Sequence, residues 1–143
     1  MIYIDSREKK NQHIVKYFDK NNIPYAIKKL DVCDYSSSKS DVLIERKQNL
    51  SELAGNVTKE NGRRFKAEFD RVPIGRKVYV LVEENIGGLE DVVNWQGKYT
   101  HLCGATLYKY LVSYQHRHGL EYIFCHKNST GRIIAELLGE GGK

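Results

Sequence analysis

Hydrophobic positions along the chain change period several times, and each change marks an element. The apolar run 1–5 predicts a short strand, and Ile14, Val15 and Phe18 recur at helical spacing in a helix over 9–20. Asn21-Asn22 ends that helix and Pro24 opens a second strand, 25–30. A third strand is expected over 32–35; the serine-rich stretch 36–40 then turns the chain back into a fourth, 42–47. Helical patterns run over 51–59 and 63–71, with Asn61-Gly62 between them. The continuous β-rich run 77–83 reads as a buried strand. A long helix over 106–117, a strand over 120–125 and a last helix over 130–138, capped by Ser129, complete the pattern. Residues 139–143 read as a frayed tail. This order predicts an α/β fold of the restriction-endonuclease-like kind, a central mixed sheet flanked by helices on both faces.

The chain has 143 residues, which suits one domain over 1–143. Its 41% hydrophobic and 29% charged residues are ordinary for a globular protein. No apolar run approaches the ~20 residues of a membrane span, and no leader for secretion stands out, so no membrane partner is expected. Cys33, Cys103 and Cys125 are odd in number and lack paired spacing. They read as reduced thiols in a cytoplasmic or nuclear type of compartment. The net charge of +5 favours a polyanionic partner such as nucleic acid.

Candidate chemistry gathers around the fourth strand. Asp34 precedes Glu45-Arg46-Lys47 by eleven residues, and the tripeptide closes the apolar run Val42-Leu43-Ile44. Strand side chains alternate, so Glu45 and Lys47 share one face and Arg46 points to the other. Two carboxylates and a lysine at a strand end suit metal-assisted phosphodiester hydrolysis. The carboxylates hold Mg²⁺ or Mn²⁺, hard cations that prefer oxygen, while the lysine orients or deprotonates a water. The bland alternative is a solvated ion pair at a rim, contributing about 0–1 kcal/mol.

These residues, with Ile4-Asp5-Ser6-Arg7-Glu8, Arg64-Phe65 and a strand ending in Glu83, stand in one order along nearly the whole chain. The set resembles the XPF/Hef-type structure-specific DNA endonucleases, a branch of the PD-(D/E)XK nucleases. Two positions depart from that pattern: Cys33 replaces a glycine, and Ser51, followed by Glu52, replaces an aspartate. Serine can serve there as a helix N-cap, and Glu52 is a substitute acid. The resemblance implies Asp34, Glu45 and the Arg46 carbonyl as metal ligands, Lys47 and Asp5 beside the reacting centre, and Glu8 in support. It places Arg7 and Arg64 on phosphates. Its implied substrate is branched, flap or forked DNA cut to a 5′-phosphate, and a second copy is an implied partner.

Beyond the motifs, Lys59, Arg63 and Lys66 share helical spacing and form a basic face suited to the DNA backbone. Arg46 is expected to bind a phosphate or an internal acid, and Glu68 to pair with Arg64 four residues earlier. Trp95 reads as the better exposed aromatic; Tyr99, Tyr108, Tyr110 and Tyr114 around Lys98 and Lys109 offer stacking surfaces, but Leu107, Tyr108, Leu111 and Val112 read instead as the packed face of their helix. His101 with Cys103, and Cys125 with His126, lack the spacing of a closed zinc site. The chain leaves no room for the tandem helix-hairpin-helix module that usually follows such a domain, so a separate DNA-positioning subunit is a further expected partner. The main rival reading is a degenerate subunit that binds DNA or a catalytic partner without cutting, and Ser51 favours it slightly.

Overall fold

The computed structural model describes residues 1–97 and 102–141, without the side chains of Lys59 and Glu60. Lys98, Tyr99 and His101 therefore lie outside the described residues. The elements run β1 (Ile2–Asp5), α1 (Gln12–Lys20), β2 (Tyr25–Lys28), β3 (Tyr35–Ser37), β4 (Ser40–Lys47), α2 (Leu50–Val57), α3 (Lys59–Asp70) and β5 (Lys77–Val82). A 3₁₀ helix (Leu89–Asn94), α4 (Gly104–His118), β6 (Glu121–Phe124) and α5 (Lys127–Leu137) follow. The strands form one mixed sheet in the order β2-β1-β3-β4-β5-β6. β1 lies parallel to β2 and antiparallel to β3, β3 is antiparallel to β4, and β4, β5 and β6 run parallel.

Alternation along the strands gives the sheet two apolar faces. Leu43, Val78, Val80 and Val82 pack with Leu50, Leu53 and Val57 of α2, Phe65 and Phe69 of α3, and Leu107, Leu111 and Tyr114 of α4. On the other face Ile2, Ile4, Tyr35, Ile44 and Leu81 pack with Ile14 and Phe18 of α1 and Ile134 and Ala135 of α5. The expected α/β architecture, a mixed sheet covered on both faces, is thus the one observed.

Several boundaries differ from the sequence reading, each for a local reason. The third strand begins at Tyr35, because Cys33 sits at φ +62 and bends the chain before it. Helix α2 is capped by Asn49, whose side chain accepts the Glu52 N–H at 2.8 Å; Ser51 lies exposed inside the first turn. The break between α2 and α3 falls at Thr58, and Asn61-Gly62 is helical. Gly62 provides a docking point instead: its carbonyl accepts the Tyr114 hydroxyl at 3.2 Å. His126, not Ser129, caps α5 through the Asn128 N–H at 3.1 Å. Trp95 is half-buried against the first core rather than exposed. The expected frayed tail is fastened as far as Gly141, with Glu140 holding the Met1 amine at 2.8 Å.

The end of β4 is anchored from below by Arg46, whose side chain is 1% exposed. Its Nε donates to Glu8 Oε2 at 2.7 Å, Nη1 to Glu83 Oε1 at 2.5 Å, and Nη2 to the Lys9 carbonyl at 2.7 Å. Tyr35 Oη donates to the same Glu8 oxygen at 2.6 Å. Glu83 Oε2 takes the Thr130 hydroxyl at 2.6 Å and meets His13 Nε2 at 2.6 Å. Burial opposes the Arg46 charge, but the glutamates outweigh it and hold the guanidinium's pKa above its ordinary value. Of the two partners expected for the Arg46 side chain, a DNA phosphate or an internal acid, the structure shows internal acids, which enclose it away from any phosphate. Glu8, expected in support of the site, lies four residues before α1 and holds Arg46.

Breaking this pair leaves a buried charge unmatched, so Arg46→Ala is expected to lower unfolding free energy by about 3–5 kcal/mol. Lysine cannot supply the fork of donors, so Arg46→Lys restores little of it; urea unfolding checks both. In the same assay Asn49→Ala is expected to cost about 1 kcal/mol and Ser51→Ala less than about 0.5 kcal/mol.

Candidate active site

Because Arg46 points into one face of the sheet, Glu45 and Lys47 emerge on the other, beneath α2 and α3. Asp34 meets them from the bend before β3. Its backbone N–H donates to the Ile44 carbonyl at 2.8 Å, and its Oδ2 accepts the Arg46 N–H at 2.8 Å. The carboxylate thus extends the β3–β4 ladder by one rung, which fixes it beside Glu45.

Glu45 is 5% exposed. Its Oε2 lies 3.1 Å from Lys47 Nζ, whereas Oε1 is buried without a hydrogen-bond partner among the described residues. Burial pushes the Glu45 carboxyl well above its usual range, and the Asp34 charge adds to the effect. Asp34 is pushed up to about 7 by burial and by the Glu8 charge, against the pull of the Arg46 N–H and Lys47. Two acids that resist ionising side by side form a place where a cation would be stabilising.

Lys47 shares this acidic centre. Burial favours the neutral amine, but Glu45, Asp34 and Glu52 together hold its pKa above the ordinary value. Its Nζ lies 3.9 Å from Glu52 Oε1 and 5.1 Å from the centre of the Phe65 ring. That geometry suits positioning and charge stabilisation. It also explains the Arg64-Phe65 pair: Phe65 packs over Lys47 while Arg64 points outward.

An open cleft of about 460 Å³ adjoins this centre, lined among others by Asp5, Arg7, Cys33, Asp34, Arg64, Glu68 and Arg71. Asp5 is 4% exposed and accepts from Arg7 Nε at 2.9 Å and from the Leu30 N–H at 2.8 Å. Burial works against its charge, yet these donors hold its carboxyl below the usual range. Asp5 therefore positions Arg7 rather than facing a reacting atom alone. Arg7, Arg64 and Arg71 give the cleft a basic rim over an acidic floor.

The helix face that looks into the cleft is Arg64, Ala67, Glu68 and Arg71, at i, i+3, i+4 and i+7. The sequence reading singled out another face. Arg63 and Lys66 are exposed away from the cleft lining, and the Lys59 side chain lies outside the described residues. Glu68 does not pair with Arg64; it accepts the Cys33 N–H at 3.0 Å. Glu68, Cys33 and Arg71 were thus missed as site residues. The acidic and basic alternation at helical spacing on α3 is the signal that could have found two of them.

The sequence profile of the ERCC4 domain matches residues 4–137. No curated protein matches the chain. Among solved structures, XPF from Aeropyrum pernix matches with a TM-score of 0.72 and 21% identity, over 99% of this chain and 61% of that one. The same protein in complex with DNA matches with a TM-score of 0.70 and 21% identity, over 96% of this chain and 62% of that one. This chain thus spans about three-fifths of the length of those structures. At that identity the likeness is one of fold, whereas the profile match covers nearly the whole sequence. The chain belongs to the ERCC4 domain family.

Proposed function

We propose that this domain is a metal-dependent DNA endonuclease acting on branched, flap or forked DNA. The observation that carries the reading is the Glu45 carboxylate, buried with one oxygen unpaired beside the raised Asp34 carboxyl and the charged Lys47. A buried acid pair with one oxygen left unsatisfied fits a hard divalent cation. Asp34 and Glu45 would hold Mg²⁺ or Mn²⁺, with the Arg46 backbone carbonyl as a third donor. When bound, such an ion supplies a Lewis acid that activates water and offsets charge on the phosphoryl oxygens. The Lys47 ammonium donates a hydrogen bond to the developing charge, and Glu45 and Phe65 keep it in place. Arg7, fixed by Asp5, and Arg64 bind phosphates at the rim of the cleft. Glu52, 3.9 Å from Lys47, is the acid best placed to stand in for the aspartate that Ser51 replaces.

One observation favours the rival reading of a subunit that binds DNA without cutting it. Ser51 brings no charge, is exposed, and has lost the capping role to Asn49. A second copy of the chain or a DNA-positioning subunit would serve either reading.

Cleavage of labelled flap, splayed-arm and duplex DNA with Mg²⁺, Mn²⁺ or EDTA separates the two. Metal-dependent cutting is expected, lost in Asp34→Asn and Glu45→Gln and reduced on the order of 10²–10³-fold in Lys47→Ala. Arg64→Ala is expected to weaken binding and lower the salt slope by about 1. DNA binding without cutting by the unaltered protein would sink the catalytic reading.

The raised acids also predict a pH effect in the metal-free protein. Their folded-state pKa values exceed the unfolded ones, so the folded state binds more protons and stability falls as pH rises through that interval. Mn²⁺ binds the ionised pair, so its stabilising effect grows over the same interval. At about a hundred times its Kd it adds about 2.7 kcal/mol at pH 8 and far less at pH 5. Thermal unfolding with and without Mn²⁺ checks this, and Asp34→Asn is expected to flatten the difference.

A further inference from the structure

Cys33 stands where the resembling family has glycine, and its backbone lies at φ +62, a conformation that side chains other than glycine adopt at a cost. Here that position carries a thiol into the acidic centre. Cys33 is 3% exposed, and its Sγ, one Glu45 carboxylate oxygen and one Glu68 carboxylate oxygen all lie within 4.8 Å of one another. Glu68 is held to Cys33 by the 3.0 Å bond from the Cys33 N–H. The Glu45 side chain is more than nine-tenths buried, and its Oε1 has no hydrogen-bond partner among the described residues. A buried carboxylate oxygen in that state is costly unless a donor or a cation meets it.

We propose that Cys33, Glu45 and Glu68 form a second cation site, selective for a thiophilic divalent ion such as Zn²⁺ and overlapping the Asp34–Glu45 site through Glu45. The donor set is one sulfur and two carboxylates. Zinc takes sulfur at about 2.3 Å and carboxylate oxygen at about 2.0–2.2 Å, so small side-chain rotations bring the three groups onto one ion. Water fills the fourth position of a tetrahedral site. Binding breaks the Cys33 S–H bond, forms a metal–sulfur bond and releases the proton to solvent. Mg²⁺ gains nothing from the thiol, because it demands oxygen donors in octahedral array. A glycine at position 33 offers no such ligand.

The test uses Co²⁺ as a spectroscopic stand-in, titrated into the full chain carrying Cys103→Ser and Cys125→Ser. Those two thiols lie outside the cluster, so any thiolate signal belongs to Cys33. A thiolate-to-cobalt charge-transfer band is expected in the near ultraviolet, with tetrahedral bands in the visible. One equivalent of Zn²⁺ should displace it and excess Mg²⁺ should not. Cys33→Gly suits the backbone at this position, and it is expected to remove the band and weaken Zn²⁺ binding by at least about tenfold. Cys33→Ser should lose the band as well, Glu68→Gln should weaken Zn²⁺ similarly, and Asp34→Asn should retain the band. Circular dichroism verifies that each variant is folded. Absence of the band in the parent protein, or equal Zn²⁺ affinity in Cys33→Gly, overturns the proposal. Because the readout is absorbance, failure of the nuclease reading leaves this test unaffected.

Discussion

The buried contact of Arg46 with Glu8 and Glu83 is the constraint on which the site depends. It joins the loop after β1, the end of β4 and the residue after β5, and through Glu83 it reaches α1 and α5. A strand has only two faces, so fixing Arg46 inward on one face fixes Glu45 and Lys47 on the other. The tripeptide therefore divides its work. Its middle residue holds the scaffold, and its outer two face the centre where the chemistry is proposed.

On the chemical face the fold concentrates charge that it does not neutralise. Asp34 is tied into the β3–β4 ladder and Glu45 is sealed beneath α3, so neither can move to water to relieve the other. Lys47 matches one of these charges and Glu68 adds another from α3. Under the proposed function, the arrangement trades stability of the empty protein for affinity towards a cation and a polyanion. The arginines at the rim, Arg7, Arg64 and Arg71, reduce the barrier an approaching phosphate would otherwise meet from the acids below.

Much of this was legible in the sequence because it is local. The apolar run before Glu45, the alternation within β4 and the spacing to Asp34 were enough to place the acids and the lysine together. What could not be read depended on contacts distant along the chain. Arg46 finds Glu83 across 37 residues, and Cys33 finds Glu68 across 35. Glu68 was assigned to Arg64 because that partner is one helical turn away, but the bend at Cys33 presents a free N–H that binds it instead. The glycine-like backbone at Cys33 also explains why the third strand starts later than its residues suggest. At α2 the sequence reading offered Ser51 as the cap, but Asn49, two residues earlier, takes that role with an extended backbone, and Ser51 is already helical.

The most direct test of this account is anomalous diffraction from crystals of the chain soaked in Mn²⁺. A single strong peak between the Asp34 and Glu45 carboxylates, absent from Asp34→Asn crystals, is the result the account predicts. Clean density there with no peak, or an equal peak in the variant, would contradict it.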